Sequence, residues 1–273
     1  MSARLAVALG LGLAVTLATA RPAAATEVHT RVDDVRACLP LDDGRVIAAS
    51  AGGLAQLAAD DHVERVWTSL DGLSDTRARA LYLEGSTLWV GTDRGLTEMS
   101  VAPAGLSFVR SIPSSAVHAI ASHHGIVHVG TWGAGVLRLD ASKGSLVPVA
   151  ASTARVGSFA VLDGALFAAA ERDGLVRVDA NALVPVRAPE LPSTVWSVAV
   201  ARDRGEPRLY IGGLEGTASW SRGVAQREST ADARAMTSTD GGAILVATMG
   251  DGLLASNARG LGAASAAPAA KLV

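Results

Sequence analysis

Leu88-Trp89-Val90-Gly91-Thr92-Asp93-Arg94-Gly95-Leu96 is the stretch from which the rest of the chain becomes readable. Leu88 and Val90 fall on one face of a strand and Trp89 on the other, and Gly95 then opens a turn into a second apolar run. The same strand-turn pattern recurs at Val46–Leu54, Val127–Thr131, Leu166–Ala170, Leu209–Gly213 and Leu245–Thr248. Its turn glycines are Gly53, Gly95, Gly135, Gly174, Gly216 and Gly252, spaced 42, 40, 39, 42 and 36 residues apart. A period near forty with one glycine turn per unit predicts an all-β, six-bladed β-propeller with four-stranded blades. A solenoid of stacked β units is the alternative.

In the second unit the strands are predicted at Ala78–Leu83, Leu88–Thr92, Leu96–Ser100 and Ser107–Ser111. The sixth shows three, at Arg234–Thr237, Ile244–Thr248 and Leu253–Ser256. Glu27-Val28-His29-Thr30-Arg31-Val32 precedes the first unit where a fourth strand would stand. The expectation is that this N-terminal strand completes the last blade and closes the ring, removing exposed sheet edges. The domain reading is therefore a signal peptide over 1–25, the propeller over 26–257 and an Ala-rich C-terminal tail over 258–273.

The signal-peptide reading rests on Arg4, the apolar run Leu5–Ala20 and the small residues Ala23-Ala24-Ala25, with Ala18-Thr19-Ala20 as an alternative cut. A retained membrane anchor is the other reading of that short run. Export predicts a secreted or periplasmic protein with no membrane insertion once the signal is removed. Loss of Arg4 and Arg21 leaves 22 basic residues against 26 acidic ones, a formal charge of −4, which points away from nucleic acid as a partner. The single cysteine, Cys38, cannot form an internal disulfide and is expected to be a small buried apolar residue. The chain is expected to be a monomer.

Trp67-Thr68-Ser69-Leu70-Asp71-Gly72-Leu73-Ser74-Asp75, Ala78-Arg79-Ala80-Leu81 and Leu88–Leu96 together resemble the two-component regulator propeller repeat, with its "dGLs" turn and "LWvGT..GL" strand-turn-strand. Val129-Gly130-Thr131-Trp132-Gly133-Ala134-Gly135-Val136 carries the pattern again in the third unit. The resemblance implies a sensor-like propeller, commonly the extracytoplasmic ligand-binding part of a membrane histidine kinase and often one for glycans. This sequence departs from that arrangement: it shows six blades, no kinase or phosphoacceptor region and no membrane helix after the propeller. Its Gly and Trp positions build blades and do not by themselves mark a site.

Aligning the first strand of each unit places Arg36, Arg79, His118, Gly157, Trp196 and Arg234 at one equivalent position, where the innermost strands meet the channel mouth. The second-to-third strand turns add Asp93, Arg94, Trp132, Glu171, Arg172, Asp173, Glu215 and Asp251. Arginines at a pore can grip a carboxylate or sulfate in bidentate fashion, and an indole can stack on a sugar. The candidate ligand-binding set is thus Arg36, Arg79, His118, Trp196, Arg234, Asp93, Arg94, Trp132 and Arg172, for a small anionic or carbohydrate ligand. The opposing reading pairs the same arginines with Asp93, Glu171 or Asp173 as ordinary loop chemistry.

No metal, cofactor or catalytic residue is predicted. His118, His123, His124 and His128 lack a completing carboxylate or cysteine spacing, and His123-His124 lie in a turn at the far end of the blade from His118. Neither a G-x-S-x-G elbow, an H-E-x-x-H helix nor a phosphate-binding glycine loop occurs. The expected function is non-catalytic binding, with a protein-protein interaction scaffold as one alternative. A metal-dependent lactonase or esterase is a lesser one, because a ring of arginines opposes a central cation.

Overall fold

The computed structural model describes residues 32, 34–60, 62–103, 105–203, 205–239, 241–257 and 260–263. They form six four-stranded antiparallel sheets, each built from strands consecutive in sequence. The first is β1 (Val35–Pro40), β2 (Val46–Ser50), β3 (Gly53–Leu57) and β4 (Val63–Trp67). The second is β5 (Ala78–Glu84), β6 (Thr87–Thr92), β7 (Gly95–Ala102) and β8 (Gly105–Pro113). The third is β9 (Val117–His123), β10 (Ile126–Thr131), β11 (Val136–Asp140) and β12 (Ser145–Pro148).

The fourth blade holds β13 (Ser158–Leu162), β14 (Ala165–Ala169), β15 (Leu175–Asp179) and β16 (Ala182–Pro185). The fifth holds β17 (Val195–Asp203), β18 (Glu206–Gly213), β19 (Gly216–Ser221) and β20 (Val224–Ser229). The sixth holds β21 (Ala233–Ser238), β22 (Ile244–Thr248), β23 (Leu253–Asn257) and β24 (Gly260–Ala263).

Blade faces that meet a neighbour are apolar because each covers the other. Leu88 and Val90 join Ile47, Ala49 and Leu54 of blade 1 in one core cluster, while Trp89 and Leu96 join Val117 and Val129 of blade 3 in another. Three further clusters join blades 3 and 4, 4 and 5, and 5 and 6. The first strands of successive blades touch from β1 through to β21.

Gly91 shows why the spacing tolerates so little bulk. A Cβ there would lie 2.7 Å from Val117 Cγ1, so the next blade sits directly on its backbone. Gly95 has φ 143°, and a Cβ would meet the Ile112 carbonyl oxygen at 2.3 Å. The threonine of the repeat ties that turn. Thr92 Oγ1 donates to the Gly95 carbonyl at 3.1 Å, Thr131 to Gly135 at 2.9 Å and Thr248 to Gly252 at 2.7 Å, with Ser50 and Gly53 at 3.0 Å.

The "dGLs" stretch is equally structural. Thr68 and Asp71 form a capping box on a short 3-10 turn ended by left-handed Gly72. Leu73 is buried against blades 1 and 2, and Ser74 Oγ donates to the Leu96 carbonyl at 3.1 Å.

Two expectations are corrected. Among the described residues the outer strand of blade 6 is β24, paired with β23 through Leu254–Ala263 and Ser256–Leu261, at the place expected for the N-terminal segment. Glu27–Arg31 lies outside the described residues, and the part of the expected tail at Gly260–Ala263 is strand. Cys38 is exposed, not buried, because among the described residues no blade packs on the face of β1 that carries it.

Candidate functional site

The starts of the first strands and the second-to-third strand turns converge on one end of the assembly. In blade 2, Arg79 grips Asp93 with both nitrogens of its fork, Nη2 lying 3.0 Å from Oδ2. Arg77 Nε adds a contact to the same carboxylate at 3.1 Å. These donors hold the Asp93 carboxyl below the usual carboxylate range, and the pairing raises Arg79 in turn.

His118, one blade on, lies face to face with Trp132, ring centroids 3.9 Å apart and planes within 3°. Burial first, then the nearby Arg79 charge, lowers the His118 pKa to about 4, so the ring is neutral at ordinary pH. Its Nε2 is buried without a hydrogen-bond partner among the described residues. Trp132 is 48% exposed. The Arg155 guanidinium sits 5.0 Å from the indole centroid and that of Arg79 6.0 Å.

Arg155 is itself only loosely paired, its Nε 3.7 Å from Glu171. Beside it a cleft of about 380 Å³ lies between Thr153–Arg155 and the turn Ala170–Asp173, and exposed Arg172 lines it. On blades 5 and 6, Arg234 lies over Trp196 at 5.0 Å and pairs with Asp232 at 2.8 Å. Trp196 Nε1 is buried without a partner among the described residues. Arg36 makes a bidentate pair with Asp34, at 2.6 and 3.1 Å.

The equivalent position thus joins Arg79, Asp93, His118 and Trp132 in one cluster and Trp196 with Arg234 in another. Arg94 is the outlier, exposed and 3.5 Å from Asp75. Arg36, Arg79 and Arg234 each face a carboxylate, which neutralises most of the charge an anion would seek. Arg155, Arg77 and Asp232 were missed by the sequence reading. Their signal lay two residues earlier in the same register, at Asp34, Arg77, Ala116, Arg155, Thr194 and Asp232. Among the described residues no group of three His, Cys, Asp or Glu side chains is placed to hold a metal ion.

No family model matches this chain, and no curated protein matches it. Solved structures do. The extracellular domain of the hybrid two-component system protein BT3049 of B. thetaiotaomicron superposes with TM-score 0.64 at 17% identity, over 82% of this chain and 34% of that one. The extracellular domain of BT4673 of the same organism, described as a one-component system, gives 0.66 at 15% identity, over 83% and 32%. The chain therefore spans about a third of the length of these two. Virginiamycin B lyase of Staphylococcus aureus gives 0.64 at 11% identity, over 83% of this chain and 82% of the enzyme. These likenesses establish a shared propeller-type fold, one that includes extracellular domains of the protein class its repeat motif resembles. No helix among the described residues is long and apolar enough to cross a membrane.

Proposed function

We propose that the protein is an exported, non-catalytic propeller of the sensor-like kind that binds a carbohydrate at the channel mouth, seated on Trp132. The observation that carries this reading is a half-exposed indole backed by a neutral imidazole, beside an Arg79 whose charge Asp93 already compensates. Such a surface favours an uncharged ring over a free anion, since drawing Arg79 to an anion would strand Asp93. Arg172 and loosely held Arg155 give an acidic sugar a secondary foothold in the adjoining cleft. The N-terminal apolar run supports export, and the extracellular domains among the structural neighbours support the sensor-like assignment.

The test is isothermal titration with neutral and uronic oligosaccharides. Trp132→Ala is expected to weaken binding roughly threefold to tenfold, the worth of one aromatic contact, while Arg172→Ala weakens only the uronic series. Unchanged affinity in Trp132→Ala refutes the reading. An interaction scaffold is the second reading, favoured by Val63, Phe108, Val109 and Val224, which stand exposed on the outer strands β4, β8 and β20.

A further inference from the structure

Five blade-to-blade junctions repeat one geometry. The residue that opens each inner strand, or in blade 4 stands just ahead of it, is driven into the second strand of the preceding blade, as Val117 meets Gly91 and Val156 meets Gly130. At this position Ala78, Val117, Val156, Val195 and Ala233 are at most 1% exposed. Val35, their counterpart on β1, is 49% exposed, and Cys38 and Pro40 are exposed on the same strand. The opposite half of the missing junction stands on blade 6. Leu253 is 49% exposed, whereas Leu54, Leu96, Val136, Leu175 and Thr217 are at most 1%. Ala235 and Ala247 are exposed too, although Ala80 and Gly91, at the corresponding places in blade 2, are buried. Among the described residues no apolar cluster joins blade 6 to blade 1.

We propose that these two faces bind each other between copies of the chain, blade 6 of one copy docking on blade 1 of the next. The fit is demonstrated within the molecule, which builds the same junction five times from equivalent residues. What covers a face such as that of blade 6 is the inner strand of a following blade. The inner strand lacking a preceding blade is β1. Among the described residues β1 packs on β2 and β5, while Val35 and Leu253 stay half exposed, which leaves both faces for a second copy to cover. The association is head to tail, and a monomer, as the sequence reading expects, is the dissociated form.

Sedimentation of the purified protein at rising concentration tests this with Val35→Asp and Ala247→Asp, both at exposed positions. Wild type is expected to associate reversibly. Each variant alone stays monomeric, because every head-to-tail contact then includes one damaged face. An equal mixture forms a one-to-one heterodimer and nothing larger, since one intact face of each kind remains. Unchanged melting of both variants keeps misfolding out of the comparison. A wild type that stays monomeric throughout, or a mixture without heterodimer, overturns the proposal. Val35→Cys with Ala247→Cys in a Cys38→Ser background supplies an independent readout. A bridge between chains is expected. A bridge within the monomer shows the ring closing on itself and overturns it equally.

Discussion

Replacing Val117 by alanine and, separately, Val35 by alanine places one chemical change at two positions that the repeat makes equivalent. Val117 is fully buried between blades 2 and 3, its Cγ1 against the Gly91 backbone. The change removes two carbon groups, worth about 0.8 kcal/mol each in transfer. The rigid walls of neighbouring sheets collapse little into the space left, which adds a cavity cost and brings the total to about 2–3 kcal/mol. For a domain of this size that lowers the melting temperature by roughly 4–12 °C. Val35 is half exposed, so the same change there costs under about 0.5 kcal/mol. The assay is urea or thermal unfolding of dilute protein, where copies are dissociated. Equal destabilisation by the two variants refutes the reasoning, because it means that a blade covers β1 in solution as β6 covers β9.

The acid limb of stability is expected to carry a His118 component. Burial lowers the folded ring to about 4 from its ordinary value of 6.5, so between those values the unfolded chain binds the extra proton. Stability from this group therefore falls as the pH drops from 6.5 toward 4, and His118→Phe flattens that window in urea midpoints measured by pH. Asp93 shifts in the same sense at lower pH: its lowered pKa gives stability present above the usual carboxylate value and lost as the pH falls below it. Truncation after Asn257 removes β24 together with Leu261, which packs against the blade 5–6 core, and is expected to lower the melting temperature. An unchanged melt would return that outer-strand position to Glu27–Val32.

The legible part of the candidate site was its register. Arg79, His118, Trp196 and Arg234 could be aligned because a propeller repeats its inner strand at a nearly constant interval. That interval also contained Arg155 and Arg77, two residues upstream. Asp93 and Glu171 were legible as candidate partners but not which arginine each takes, since they reach the arginines across turns whose backbone path depends on the whole blade. The neutrality of His118 was hidden too: its ring is buried against Trp132 of the same blade, and the charge that lowers it further is Arg79 of blade 2.

The blade number, the strand order inside the repeated units and the alternation of apolar side chains along the inner strands were carried by the sequence alone. Those features depend on local alternation, on glycines that permit positive φ or close approach, and on a period that any one repeat displays. Only the tertiary structure decided which strand completes blade 6, that the arginines at the mouth are spent on carboxylates, and that Val35 and Leu253 face outward. Each of these depends on the accumulated angle between successive blades and on contacts between residues far apart in the chain, which no single repeat encodes.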